Sequence, residues 1–234
     1  AGPLGANATG LIDVYGTLRT EAGGSLRNNG GTANFYTNIN LRPLSNLLFQ
    51  DMSATGANSN RWEDSVGINL DGSSLQGEAA TNADNNTETV GAITFDRGSR
   101  IYLTTEGTGD VFLNAASISR ATAGLGTGTG RGTMVFTPTA TAVFGATASA
   151  GVAQTQIKFT AAPTASATSA VANMLPGYYM DGNGHRFVSN GANGITPVAD
   201  GSMVAMPSGA GVGNEVVNVT ANTTMGSFER IRGN

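Results

Sequence analysis

Short runs of alternating apolar and polar residues recur along the chain, and glycine separates most of them. The clearest lie at residues 11–15, 17–20, 66–70 and 100–104. Such alternation predicts β-strands with one buried face. No window of twelve or more residues carries apolar side chains at helical spacing without an interrupting glycine. The pattern therefore predicts an all-β protein built from many short strands.

Glycine is placed where a strand must turn into the next one. Leu18 and Leu26 lie eight residues apart, each after a Gly-Thr or Gly-Ser pair. Glycine adopts positive φ without a Cβ penalty, and stacked coils bury faces that a single coil cannot. We therefore expect a parallel β-helix, a β-solenoid-like fold. A β-sandwich or jelly roll is the alternative, which the strands within 133–160 and the Ala/Ser/Thr-rich segment 161–172 would suit.

A repeat is suggested by the spacing of three apolar residues. Leu75, Ile93 and Val111 follow one another at intervals of 18 residues. One solenoid coil takes roughly 20–30 residues, so this interval hints at stacked coils.

Two parts of the chain depart from the rhythm and suggest its organisation. We predict a solenoid-like region over residues 1–160, with an irregular insertion at about 35–64, where the densest apolar run lies. Residues 161–234 are predicted to form a connector, a hairpin and C-terminal strands that lead into a next repeat. The hairpin is expected at 177–188, because strand-like residues flank an Asp-Gly-Asn-Gly turn sequence.

Composition narrows the class of protein. Cysteine is absent, and charged residues make up 12% of the chain, about half the usual share. The arginines are scattered, so no nucleic-acid partner is predicted. No apolar run approaches the ~18 residues of a membrane-spanning helix, and no signal peptide is visible. Since the chain opens at Ala1 without a start methionine, we interpret it as a mature product or part of something longer.

Several passages carry a family resemblance, which runs from about Gly72 to Ala199. The passage SSLQGEAATNADNNTETVGAITFDRGSRIYLT ends one coil and opens the next, and LNAASISRATAGLGTGTGRG continues it. The most specific stretches are QIKFTAAPT and NMLPGYYMDGNGHRFVSNGANGITPVA. Together they resemble the autotransporter-associated β-strand repeat proteins, which are very long bacterial surface or secreted proteins. The terminal ANTTMGSFERIRGN is similar to the opening of a further repeat.

The resemblance implies a right-handed parallel β-helix that is exported and displayed or shed. It also implies a structural or adhesive role without catalysis. It brings no functional residues to transfer, because the family motif is architectural. Residues 35–60 are unlike the family, and the chain holds no C-terminal membrane-barrel domain of the kind that would define an export route.

Catalytic and metal sites find little support in the residue pattern. Acid–base catalysis needs two carboxylates that converge in a cleft. Asp96, Glu106 and Asp110 are the candidates for a β-helix polysaccharide hydrolase or lyase, although solvated carboxylates at coil corners are the simpler interpretation. The Asp181–His185 segment lacks the ligand spacing of a calcium loop and is interpreted as a turn. We therefore predict no enzyme, no metal and no cofactor.

Aromatic and aliphatic residues supply the candidate binding surfaces. Trp62, Tyr178 and Tyr179 are candidates to contact a glycan or another subunit, with structural packing as the simpler interpretation. The apolar run is expected to be core, and an interface if it is exposed. Its members are Ile39, Leu41, Leu44, Leu47, Leu48 and Phe49.

The function predicted from sequence is structural. We expect an extracellular module of a self-assembling bacterial surface fibre, sheath or autotransporter-like repeat protein, with identical subunits or adjacent repeats as partners. A carbohydrate-binding adhesin is the first alternative, with surface glycans as partners. The polysaccharide hydrolase or lyase is the second.

Overall fold

A computed structural model gives the fold. It describes residues 10–21, 24–26, 36–51, 61–79, 85–105, 108–122, 132–138, 143–145, 153–165, 173–176, 178–182, 186–198, 204–205 and 217–218.

The described residues form seventeen β-strands. In chain order they are β1 (Gly10–Val14), β2 (Thr17–Glu21), β3 (Tyr36–Leu41), β4 (Asn46–Asp51), β5 (Gly67–Asp71), β6 (Ser74–Ala79), β7 (Asn86–Asp96), β8 (Gly98–Thr105), β9 (Val111–Arg120), β10 (Thr133–Pro138), β11 (Val143–Phe144), β12 (Gln154–Phe159), β13 (Tyr179–Asp181), β14 (Val188–Gly191), β15 (Gly194–Pro197), β16 (Val204–Ala205) and β17 (Val217–Asn218).

Two parallel sheets contain most of these strands. One has seven strands in the order β1-β3-β5-β7-β9-β12-β11, and the other has six in the order β13-β10-β8-β6-β4-β2. Consecutive strands therefore alternate between the sheets, and each strand pairs in parallel with the strand one coil away. This winding is a parallel β-helix, as the sequence predicted. Parallel pairing of strands one coil apart excludes the antiparallel jelly roll, and strands β10 and β12 belong to the helix.

Identical apolar residues stack in the interior. Ile12, Ile39, Ile68, Ile93 and Ile118 are successive partners in the first sheet, at chain intervals of 27, 29, 25 and 25 residues. The opposite sheet stacks Leu18, Leu47, Leu75, Ile101 and Phe136. One coil therefore takes 25 or more residues. The interval of 18 residues is not the repeat, because Leu75 and Ile93 lie in different sheets.

The long strands β7 and β9 turn a corner and form part of a third side. In β7 the buried positions are Asn86, Glu88 and Val90 before Gly91, and then Ile93 and Phe95 after it. This change of phase shows that the strand bends at Gly91. Strand β12 pairs only with the first half of β9, at Val111–Ala115, so the third side continues while the second half of β9 loses its neighbour.

The corner between the two sheets repeats a left-handed backbone conformation. Leu44, Gly72 and Arg97 have φ of 67°, 64° and 54° in three successive coils. The corners also bond to one another, since the Leu44 N–H donates to the Gly72 C=O and the Gly72 N–H to the Asp96 C=O. Glycine suits this conformation, whereas Leu44 must accept it and leaves its side chain 91% exposed.

An amide ladder runs along the outer face of the first sheet. The Asn69 side-chain amide donates to Asn40 Oδ1 at 2.7 Å, and the Asn40 amide donates to Asp13 Oδ1 at 3.2 Å. Arg42 also pairs with Asp13, with Nη2 at 2.6 Å. The ladder cross-links three coils without placing like charges opposite each other.

An antiparallel hairpin lies against the last coil. Strands β14 and β15 pair across the turn residues Ala192 and Asn193, and β15 contacts β12. Gly194 has φ of 88°, and a Cβ there would lie 2.1 Å from the Ile157 C=O, so the hairpin approaches β12 too closely for any side chain. The C-terminal end of the helix is therefore partly covered.

Three predictions about organisation differ from the structure. Residues 36–51 are not an irregular insertion, because β3 and β4 form an ordinary second coil in register with both neighbours. The helix also continues past residue 160, since β13 is the sixth strand of its sheet. The hairpin predicted at 177–188 exists only as a bridge between Met180 and Phe187, while the regular hairpin lies at 188–197.

Candidate functional site

The candidate aromatic Trp62 lies in the core. Its side chain is 0% exposed, its ring meets Phe49 edge-on at 5.4 Å, and its indole N–H donates to Thr20 Oγ1 at 3.2 Å. Such packing leaves no surface of the indole to a ligand. Trp62 is therefore a structural residue in this fold and not a glycan contact.

A buried carboxylate positions the backbone next to Trp62. Glu88 is 0% exposed and accepts from the N–H groups of Arg61 and Trp62 at 2.7 and 2.9 Å. Arg61 is buried as well, and its guanidinium donates to Asn86 Oδ1 at 2.8 Å. Glu88 thus satisfies two N–H groups on the third side. Sequence reasoning missed this cluster, because its residues look like ordinary polar positions until the coils are placed in register.

The candidate interface residues divide by their place on the coil. Ile39, Leu41, Leu47 and Phe49 are at most 1% exposed and belong to the core. Leu48 is half-buried on the outer face of β4. Leu44 is the exposed member, at the left-handed corner. The run is therefore mainly core, as the simpler interpretation held.

The candidate catalytic carboxylates do not converge. Asp96 ends β7 and is 1% exposed, whereas Asp110 lies beside the start of β7, where its C=O accepts from the Asn86 N–H. The two residues therefore stand at opposite ends of an eleven-residue strand. Paired carboxylates of glycosidases lie only ~5–10 Å apart, so these two cannot act together. Glu106 lies outside the described residues.

The Asp181 segment is held by an ion pair. Asp181 is 1% exposed, and Arg186 Nη2 lies 3.2 Å from its Oδ2. His185 lies outside the described residues. Within the part of the chain that the structure describes, no group of three or more His, Cys, Asp or Glu side chains is placed to hold a metal.

A cleft opens beside the second half of β9, where the sixth coil turns away from the sheet. Its volume is about 570 Å³. Its lining combines the end of β9 with Thr164, Pro176 and the two candidate tyrosines, Tyr178 and Tyr179. The structure thus brings both tyrosines to one site, although they play different parts there.

Tyr179 forms the floor of this cleft and Tyr178 its mouth. Tyr179 is 2% exposed and stacks on Phe136 with ring centres 6.0 Å apart, and burial raises its pKa above the usual value near 10. Tyr178 is half-buried, 4.7 Å from Tyr179 between ring centres. The Arg120 guanidinium lies over the Tyr178 ring at 4.0 Å. Arg120 was not predicted as a site residue, since only the strand register shows that it follows Phe95 in an interior ladder.

The N-terminal edge of the helix is the second candidate surface. Ile12 and Leu18 point inward yet are only half-buried, and Leu11 and Tyr15 are 60% and 79% exposed. Among the described residues no strand pairs with the outer edge of β1 or β2. We define the N-terminal edge as these two strands.

Comparison with known proteins adds no identification. No protein-family model, curated protein or solved structure matches the chain. Within the described residues there is no helix long and apolar enough to cross a bilayer. What can be said of this protein therefore rests on its β-helical fold and on its two candidate surfaces.

Proposed function

We propose that this protein is an extracellular structural module of a bacterial surface fibre or sheath, in which β-helical modules continue one another. The observation that carries the proposal is the N-terminal edge. Ile12 and Leu18 occupy the same interior ladders as Ile39 and Leu47, which are 0% exposed, but they have a coil on one side only.

A further coil is the partner that this edge fits. Parallel strands present a row of N–H and C=O groups at an edge, and such edges pair readily with another strand. A coil placed there would continue both sheets and cover the half-buried residues. Sparse charge favours close stacking, because only 12% of the residues are charged and a single lysine is present. An identical subunit or an adjacent repeat of a longer chain would supply such a coil.

Electron microscopy of the purified protein tests the proposal. Assembly through this edge predicts filaments or sheets whose axial repeat is about 30 Å or more, because six coils at ~4.8 Å set the minimum rise. Leu11→Lys puts a charge at the edge and should shorten or abolish the assemblies. Leu44→Lys is the matched control, because it adds the same charge at an exposed leucine on a corner of the second coil.

The outcomes separate clearly. Loss of assemblies in Leu11→Lys alone supports the N-terminal edge as the interface. Equal loss in both variants would point to a general effect of charge and contradict the proposed interface. Monodisperse particles of the unaltered protein, at concentrations up to the solubility limit, would contradict self-assembly by this module.

A further inference from the structure

The cleft beside β9 exists because one strand edge is left without a neighbour. Strand β12 pairs with Val111–Ala115, and the backbone follows β9 only as far as Ala161, whose N–H donates to the Ala116 C=O. Beyond that point no described strand pairs with the open side of Ser117–Arg120. Ile118, Ser119 and Arg120 therefore line an open space where a coil would otherwise continue.

Arg120 brings a fixed positive charge to this cleft. Four other arginines pair with carboxylates, namely Arg19, Arg42, Arg97 and Arg186. Arg120 has no carboxylate partner among the described residues, and its contact is the face of Tyr178. Stacking on an aromatic ring orients a guanidinium without neutralising it. The stack is itself held in place, because Tyr178 packs on the buried Tyr179.

The rest of the lining offers hydroxyl groups. Ser119, Thr122 and Thr164 lie around the cleft beside the aromatic floor. Hydroxyls both donate and accept hydrogen bonds, as the hydroxyls of a sugar ring do. A volume of about 570 Å³ lies within the usual range of small-ligand sites. The face of Tyr178 under Arg120 is occupied, so a neutral sugar cannot stack there.

We propose that this cleft binds a saccharide that carries a carboxylate. The Arg120 guanidinium holds the carboxylate, and the hydroxyl side chains around it bind the ring hydroxyls. Such an anchor selects acidic over neutral sugars, because a buried or stacked guanidinium gives a charge-assisted, bidentate interaction with a carboxylate. The site is independent of the assembly proposed above, since it lies at the opposite end of the helix from β1 and β2.

Calorimetric titration of the full chain with three probes tests the proposal. The probes are a trisaccharide of galacturonic acid, its methyl ester and the neutral galactose trisaccharide. We expect binding of the acid only. Arg120→Gln should weaken that binding about tenfold or more, which corresponds to loss of one charge-assisted interaction. Arg100→Gln is the matched control, because Arg100 also stacks on a tyrosine, Tyr102, at 4.5 Å, but lies outside the cleft.

Each outcome decides the matter. Equal loss in the two arginine variants would show diffuse electrostatic attraction and overturn the proposal, as would equal binding of acid and ester. Absence of binding of the acid at millimolar concentration would overturn it as well. Tyr178→Phe keeps the ring under Arg120 and should retain most of the binding, which guards against a variant that merely unfolds. Circular dichroism of all the variants verifies the fold, and none of these results depends on whether the protein assembles.

Discussion

The first and fourth coils use the same side chain at the same position of one ladder, and they bury it differently. Ile93 has a neighbouring coil on both sides and is 0% exposed, whereas Ile12 has one neighbour and is half-buried. The strands that carry them have similar alternation. Burial in this protein is therefore decided by the neighbouring coils and not by the strand itself, as expected of a stack in which each unit contacts only the next.

The largest expected effect comes from shortening these two isoleucines. Ile93→Ala should lower the free energy of unfolding by about 3–4 kcal/mol, because it leaves a cavity between two packed coils. Ile12→Ala should cost only about 1 kcal/mol, because its site is partly open to water. Urea denaturation measures both. Equal losses would show that the first coil is as well packed as the fourth, and would remove the main support for an open N-terminal edge.

The buried carboxylate of the fourth coil gives the next largest effect. Glu88→Gln leaves one acceptor oxygen for two N–H groups and turns an amide N–H₂ toward one of them. The loss in free energy of unfolding should be about 2–3 kcal/mol. Glu21→Gln, in the exposed pair with Arg19 of the first coil, should change it by less than ~0.5 kcal/mol. If Glu88→Gln proved as mild as the control, Glu88 would not hold the third side together.

The corners of the coils should respond with opposite signs to one substitution. Leu44→Gly relieves a left-handed backbone at φ of 67° and removes an exposed leucine, so a gain of about 0.5–1 kcal/mol is expected. Leu11→Gly, in an extended strand of the first coil, should lose about 0.5–1 kcal/mol. Thermal unfolding of the two variants measures the difference. A loss in both would mean that the side chain of Leu44 contributes more than its backbone costs.

The smallest effect concerns alkaline pH at the other end of the helix. Because the folded state raises the pKa of Tyr179, the unfolded chain releases the proton first as pH passes 10, and folding stability falls from there upward. Relative to Tyr179→Phe, the unaltered protein should lose a few tenths to about 1 kcal/mol just above pH 10. Tyr15→Phe, at a 79% exposed position, should show no such difference. Equal pH profiles for all three proteins would contradict a buried, neutral Tyr179.

The fold class followed from the sequence because it depends on local rules. Alternation, glycine at the corners and the lack of helical spacing each act within a few residues, and together they predicted a parallel β-helix. The coil length did not follow, because apolar residues of the two sheets mix in one linear sequence. Leu75 and Ile93 are close in spacing but lie on different sides of the coil.

The candidate site depended on register, which no local pattern reveals. Tyr178 and Tyr179 were visible as an aromatic pair, but Arg120 gained its meaning only when Phe95 was placed beside it in the next strand. Trp62 illustrates the reverse, since an isolated tryptophan beside a polar loop turned out to be fully enclosed. The apolar run at 39–49 was mistaken for an insertion because dense hydrophobicity hid a coil of ordinary length.

The amide ladder on the outer face has a direction, and this direction gives the N-terminal edge a chemical label. Asn69 donates to Asn40 and Asn40 donates to Asp13, so the chain of hydrogen bonds ends in a group that can only accept. A neighbouring coil that carries an amide or a cation at the matching position would extend the ladder by one step. A coil with a carboxylate there would meet like charge instead. The module therefore tells its neighbours apart by the polarity of a single side chain.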